Sequence, residues 1–539
     1  MENNFWYKNS VFYEVHTRAF FDSNRDGIGD LCGLTQKLDY LKHLGVDCIW
    51  LLPIYPSPLK DDGYDISDFY HVHPDLGTLD DFKTLVDETH KRGMRIIADL
   101  VVNHTSDQCV WFQQDESDPN SPYHDYYVWS DDDQKYSDAR IIFIDTEKSN
   151  WTWSEKAQKY YWHRFYTCQP DLNYDNPAVR EEMKSIMRFW LDMGIDGFRA
   201  DAVPYLIERE GTNCENLPET HEYLKELRAL IDQDYPDCIL LAEANQWPQD
   251  LRPYFGDGDE FHMAFRFPLM PRIYKSIAAG DATSMISILE KTPEIPENCQ
   301  WCTFLRNHDE LTVEMVTEEE REFLWNFYAP EARMRLNLGI RRRLAPLMGG
   351  NTLKIELLYA ILFSLPGAPI IYFGDEIGMG DNIWLNDRDG VRTPMQWSAG
   401  KNAGFSERED GQLFLPVNDQ GEYSYQNLNV ENQMKDENSL FNRLRGLIAM
   451  RKDEDVFNNQ EMEFLFRENK ALFAILRGGH TDGLICIHNL SNLAQIADLS
   501  GYTFQVMASS ANQSPNNICE EDHTLLLEPY AYVWLKIKS

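Results

Sequence analysis

Short, almost continuous apolar runs alternate with amphipathic stretches over the first ~450 residues. The runs Val11–His16, Val46–Leu51, Arg95–Val102, Gly197–Asp201, Cys238–Glu243, Phe261–Ala264, Trp301–Leu305 and Pro369–Phe373 have strand length and little polar alternation. Between them, Leu34–His43, Leu79–Arg92, Ala178–Met193, Thr220–Asp232 and Lys354–Leu365 repeat apolar residues at helical spacing. Strands that are apolar on both faces, separated by helices, predict a parallel sheet covered by helices. About eight of them in one chain favour closure into an α/β barrel of the (β/α)8, or TIM, type.

Two stretches interrupt the alternation. Residues 106–176, rich in Asp, Tyr and Trp, show little helical periodicity and read as a subdomain inserted after the third strand. Residues 317–333, rich in Glu and aromatics, read as a helical insertion after the seventh. From about residue 455 the pattern turns to alternating segments, Glu463–Phe466, Leu472–Leu476, Gly483–Ile487, Thr503–Met507, Leu525–Leu527 and Tyr530–Ile537, which predict a C-terminal antiparallel β domain. The expected organisation is a barrel over 1–105 and 177–454, the insertion at 106–176, and the β domain at 455–539.

A formal charge of −38 argues against nucleic acid and anionic membranes, both of which need clustered Lys and Arg. It suits a neutral substrate and metal ions. The ten cysteines are scattered; only Cys299 and Cys302 are close, and no second pair completes a zinc site. Several lie in apolar runs, which points to reduced thiols. The opening MENNFWYKNS lacks the basic, apolar pattern of a signal, and no long uncharged apolar run could span a membrane. A cytoplasmic protein is expected, with a homo-oligomer left open.

Barrel enzymes carry their chemistry at the C-terminal ends of the strands. Here the third strand runs from Asp99 to Asn103 and His104, the fourth ends in Arg199-Ala200-Asp201, the fifth in Glu243-Ala244-Asn245, and the seventh leads into Arg306-Asn307-His308-Asp309. One carboxylate at a strand end is ordinarily a cap or a solvated charge. Four strand ends in register are not.

This set resembles the four motif regions of the α-amylase superfamily of glycoside hydrolases. The resemblance implies Asp201 as nucleophile, Glu243 as general acid/base and Asp309 as the carboxylate that stabilises the transition state. Asp201 and Glu243 come from adjacent strands, as retaining glycosidases require. Arg199, on the same strand face as Asp201, would keep it ionised, and His104 and His308 would bind glucosyl hydroxyls. The segment Lys60–Asp65 resembles the family's loop for the non-reducing glucose, with Tyr64 stacking on the ring and Asp61 binding hydroxyls. The segment Asp387–Trp397 resembles the loop of small-substrate members, in which Arg388 pairs with Asp61 and closes the pocket.

Oxygen-bearing residues alternate through Asp22, Asn24, Asp26, Ile28 and Asp30, with Gly27 permitting a turn, as hard-cation loops require. The start of an EF-hand is similar, but the Glu at its twelfth position is lacking. In the family this loop holds a small ion, normally calcium (magnesium being the other candidate), with the Ile28 carbonyl as a ligand. A second structural calcium would join Asn103, Asp171, Glu208 and the carbonyls of Tyr205 and Leu206. No organic cofactor is expected.

Finer signals are the run from Pro204 to Glu219, Leu241–Pro248, Pro296–Trp301, Arg306–Leu311 and Gly378–Ile383. They resemble the branch of the superfamily that interconverts maltose and trehalose by intramolecular glucosyl transfer. The implied activity is that isomerisation with minor hydrolysis to glucose. The alternatives are an α-glucosidase or oligo-1,6-glucosidase and, remotely, a non-catalytic sugar-binding relative.

Overall fold

A computed structural model describes residues 5–514, 517–519 and 523–538. Residues 1–4 of the opening stretch and the side chain of Cys519 lie outside the described set.

Eight parallel strands close into a barrel: β1 (Phe12–Val15), β2 (Cys48–Leu51), β3 (Arg95–Val101), β4 (Gly197–Asp201), β5 (Ile239–Ala242), β6 (Met263–Phe265), β7 (Gln300–Phe304) and β8 (Ala368–Tyr372). Each pairs with the next, and β8 returns to β1 through Phe12 opposite Ile370. The strands are buried on both faces, which is why their sequences run apolar instead of alternating. Covering helices start where their sequences cap. Thr78 and Asp81 form a reciprocal capping box before Leu79–Lys91, and Asn176 with Pro177 opens Pro177–Asp192. Helix Thr352–Ser364 has no polar face, and ten of its residues are buried. The barrel covers one side of it and the C-terminal sheet touches another.

The predicted helix Leu34–His43 is two helices, Leu31–Gln36 and Leu38–Leu44, with Lys37 between them in a non-helical conformation. The Lys37 ammonium sits 3.9 Å from the Phe21 ring and 4.3 Å from that of Trp397, contacts that draw the chain out of the helical path. The segment after β3 holds a helix, Val110–Ser117, that its sequence did not announce, and a small antiparallel sheet of Trp129–Ser130, Lys159–Trp162 and Trp151–Ser154. After β7 come helix Glu318–Tyr328 and a sheet of Leu311–Thr312, Gly339–Ile340 and Arg335–Leu336.

Beyond residue 455 a five-stranded antiparallel sheet faces a three-stranded one. Alternation assigns its sides: Phe473 and Ile475 join the barrel's core, whereas Leu472, Ala474 and Leu476 join a separate core with Leu525 and Leu527. The nine described cysteines are free. No helix among the described residues is long and apolar enough to cross a membrane.

Gly197 opens β4 at φ +144°, and a Cβ there would lie 2.1 Å from the Ile239 carbonyl oxygen. Gly197→Ala is therefore expected to lose about 2–3 kcal/mol of stability, read as a lowered midpoint in thermal or urea denaturation.

Candidate active site

Two-residue spacing on β4 sends Arg199 and Asp201 to one face, and register sets Asp99 of β3 directly opposite Arg199. The Arg199 guanidinium, 1% exposed, is the hub. It donates to Asp99 and, at 2.7 Å, to Asp201 Oδ1, and lies 2.6 Å from Glu243 Oε1. Trp50 Nε1 holds the other Asp99 oxygen at 2.9 Å, and the guanidinium stacks 5.2 Å over the Trp50 ring. The backbone N–H of Ala202, a left-handed residue directly after the strand, donates to Glu243 Oε2 at 3.2 Å. Nucleophile and acid/base candidates thus stand side by side on one cation.

Asp309 has its own cations. Arg388 donates to its Oδ1 at 2.8 Å, Arg392 to the same oxygen at 3.2 Å, and His308 Nε2 lies 3.2 Å from Oδ2. Arg388 also donates to Asp61, whose second oxygen accepts from Gln169 Nε2 at 2.8 Å. Tyr64 stacks on His308 with ring centroids 5.3 Å apart, and its hydroxyl is 2.8 Å from His308 Nε2. Glu14, buried in the middle of β1, holds His308 Nδ1 at 2.6 Å.

These groups line a pocket of about 870 Å³ including its mouth, within the range of small-molecule sites. Asp61, Tyr64, His104, Asp201, Glu243, His308, Asp309 and Arg388 all reach it, so the structure brings together eight of the nine expected catalytic and sugar-binding residues, with Arg199 buried behind them. Two buried polar atoms of lining residues, His104 Nε2 and Asn245 Oδ1, have no partner and are free to meet ligand hydroxyls.

The roof is a seam between insertions. Arg140 pairs with Glu215 at 2.7 Å and with Glu314, and donates to the Tyr205 hydroxyl at 3.3 Å. Asn245 Nδ2 donates to Glu314 at 2.7 Å, and the Asn337 N–H donates to Asp145 Oδ2 at 2.7 Å. Ile142 and Phe143 hang from this seam into the pocket.

Burial pushes Glu243 up to about 8, against the pull of Arg199 and with the charges of Asp201 and Asp309 adding to the rise. It lifts Asp201 only to about 6, again against Arg199. Burial also acts on Asp309, but the permanently charged Arg388 and Arg392 overcome it and hold the carboxyl below the usual range, whereas burial keeps the neighbouring His308 ring neutral. Burial drops His104 to about 3, so its ring is neutral at pH 7. At neutral pH the site offers one protonated carboxyl beside two ionised ones, the division of labour of a glycosidase acid and its partners.

The model of the α-amylase catalytic domain matches residues 14–330 and 341–460. The chain belongs to the α-amylase family. It is 54% identical to the trehalose synthase/amylase TreS of Mycolicibacterium smegmatis, covering 99% of this chain and 93% of that protein. It is 50% identical to a trehalose synthase of Pimelobacter sp., with 99% and 96% covered. The crystal structure of the trehalulose synthase MutB from Pseudomonas mesoacidophila superposes with a TM-score of 0.81 at 29% identity, covering 99% of both chains.

Two cation sites are expected in this α-amylase-family chain, and their oxygens differ. Asn103 Oδ1, Asp171 Oδ2 and Glu208 Oε1 are buried and without hydrogen-bond partners. Burial raises Asp171 to about 8 and lifts Glu208 as well, with Asp171 adding to the latter. Hard, unsatisfied oxygens that repel one another fit a cation. The Asp22–Asp30 loop satisfies itself: Asp22 accepts from the N–H groups of Asn24, Arg25 and Gly27, Asp26 from that of Ile28, and Asp30 from those of Ser23 and Gly33. Among the described residues no three acidic, His or Cys side chains are arranged to hold a metal. The fit to a cation therefore rests on orphaned oxygens at the first of these sites and on donor spacing alone at the loop.

Asp99 stands out in its strand, and Asp62 and Arg392 lie within the segments Lys60–Asp65 and Asp387–Trp397, without a role evident from sequence, whereas Glu14, Gln169, Arg140 and Glu314 belong to no motif. A charge inside an apolar strand was a usable signal for Glu14. For Arg140, in an insertion without periodicity, there was none.

Turnover should follow a bell. Below about pH 6 Asp201 takes up a proton and cannot attack; above about pH 8 Glu243 loses the proton it must donate. The expected optimum is near neutrality, checked by kcat/KM against pH, the two limbs belonging to the coupled pair.

Proposed function

We propose that the chain interconverts maltose and trehalose by a retaining double displacement. The observation that carries this reading is the pairing of Asp201 and Glu243 on one guanidinium, beside which burial pushes Glu243 up to about 8. Glu243 protonates the glycosidic oxygen while Asp201 attacks the anomeric carbon, giving a β-glucosyl ester and free glucose. Asp309, kept ionised, stabilises the cationic transition state. Glu243, now a base, takes the proton of the 1-hydroxyl of the reoriented glucose, which attacks the ester and forms the α,α-1,1 link. Asp61, Tyr64, His104, His308 and Arg388 bind the glucosyl unit that stays.

Hydrolysis uses the same residues with water as the acceptor. The roof supports transfer over hydrolysis: the Arg140 pairs and the Arg388 bridge between Asp61 and Asp309 narrow the mouth of the pocket, and further closure on a bound glucose would limit the entry of water. The high identity to proteins named trehalose synthases supports the same choice. Hydrolysis to glucose is the minor branch. Nine free thiols suit a reducing compartment and support a cytoplasmic setting.

A calcium-sized ion at Asn103, Asp171, Glu208 and the carbonyls of Tyr205 and Leu206 would neutralise the buried carboxylates and tie the insertion after β3 to the barrel. A second, calcium or magnesium, would sit on the Asp22–Asp30 loop. Both roles are structural. EDTA is expected to lower the melting temperature and calcium to restore it, with Asp171→Asn blunting the response. An EDTA-treated protein of unchanged melting temperature, with metal shown absent by elemental analysis, would reject the ions.

Asp201→Ala and Glu243→Gln should each lower turnover by about 10³-fold or more with the fold intact by circular dichroism. Pure maltose should yield mainly trehalose, and labelled external glucose should enter it poorly, as mass spectrometry can score. Arg388→Ala should raise the share of glucose among products before it abolishes ester formation. Glucose as the main product of the unaltered enzyme would instead make it an α-glucosidase.

A further inference from the structure

At the opposite end of the barrel from the carboxylates lies a second cavity. Its walls come mainly from the segment before β1, the loop before β7, the turn before β8 and the link to the C-terminal sheets, joined by Arg266, which directly follows β6. Its empty volume, about 1960 Å³ and open to solvent, is more than twice that of the catalytic pocket. Nothing in the proposed reaction uses it.

Arg266 lines this cavity and is 6% exposed. Its guanidinium stacks 4.9 Å over the Trp301 ring, and its Nε is sealed from water with no hydrogen-bond partner. No ion pair reaches it among the described residues, and the charge nearest in effect is the repulsive one of Arg477. Other buried arginines also carry an unpartnered nitrogen, Arg451 Nε among them, but each of the two nearest donates elsewhere: Arg451 to the carbonyls of Phe363 and Gly367, and Arg477 to those of Ser364 and Glu461. The terminal nitrogens of Arg266 have no protein acceptor among the described residues, so an acceptor entering the cavity would pair with the guanidinium fork.

The surroundings narrow the ligand. Trp6, Ile295, Pro296 and Trp301 offer apolar and flat surface beside the guanidinium, Lys8 adds a second cation, and exposed Glu294, Glu297, Asp455 and Glu461 stand at the rim. Rim carboxylates repel a multiply charged anion more than a singly charged one. A planar carboxylate matches the guanidinium fork, and an apolar body matches the walls. We infer that this cavity is a second binding site, separate from the catalytic pocket, for a small singly charged carboxylate with a flat or apolar body, held by Arg266.

Benzoate is the probe, benzamide its neutral counterpart and inorganic phosphate the multiply charged one, each titrated into the full-length Asp201→Ala protein, in which trehalose occupies the catalytic pocket without turning over. Binding is followed by calorimetry and tryptophan fluorescence. Benzoate should saturate, with benzamide and phosphate each about tenfold weaker or worse. Arg266→Gln should weaken benzoate by at least about tenfold and leave maltose turnover unchanged. Glu461→Lys, at the exposed rim, should tighten benzoate several-fold and keeps the test decisive if Arg266→Gln does not fold. Equal binding of benzoate and benzamide, preference for phosphate, no saturable benzoate binding, or benzoate affinity indifferent to both substitutions would overturn the inference.

Discussion

One buried cation faces three carboxylates, and the chemistry of the site follows from that imbalance. Arg199 touches Asp99, Asp201 and Glu243 where water does not reach it. Three ionised carboxylates around one guanidinium would leave two uncompensated negative charges in a medium of low polarity, which is unstable by many kcal/mol. The cluster must keep protons, and the position most strongly raised is Glu243, beside both Asp201 and Asp309. The proton a general acid needs thus follows from burial first and from the charges of Asp201 and Asp309 second. Asp309 escapes the same fate because two guanidiniums, Arg388 and Arg392, serve it separately. Two carboxylates of like chemistry acquire opposite roles through the cations allotted to each.

The division between barrel and insertions follows from what each must do. Attack and protonation need atoms held to fractions of an ångström, and the strand ends supply this, since β3, β4 and β5 are locked to one another by parallel pairing in fixed register. Admission of a disaccharide needs movement, and the roof is made of loops joined through side chains. Glu14 shows how far the rigid part extends: a carboxyl inside β1 fixes the His308 ring, which in turn meets Tyr64 and Asp309.

The same division explains what the sequence made legible. All eight barrel strands were legible as apolar runs, to within two residues at their ends, because burial on both faces removes polar residues. Against that background Asp99, Arg199 and Asp201 were anomalies with a position attached. Arg140 and Gln169 sit in a segment without period, and their partners Glu215, Glu314 and Asp61 are distant in sequence, so only the folded chain joins them. Helix Val110–Ser117 was missed because Val110, Trp111 and Phe112 are consecutive, not spaced, and Gln495–Asp498 because Ile496 lies on an exposed face. Lys37 broke a helix through ring contacts that no local propensity encodes.

The two ends of the Arg140 seam are not equivalent. Glu215 has a 4% exposed side chain and is also held by Arg164 at 2.8 Å and by Gln246 at 3.1 Å. Removing Arg140 from it would not leave it unpaired, but its burial and several donors make that end the better fixed. Glu314 is 17% exposed and is held besides by Asn245, a neutral partner. An ion pair nearer to water is the weaker one, because solvent competes for both charges. The Glu314 end is therefore the weaker of the two. It borders the face of the pocket lined by Asn245, Thr312 and Glu314, across from Asp61 and Arg388. The strand-end carboxylates are fixed by parallel pairing and do not depend on this contact.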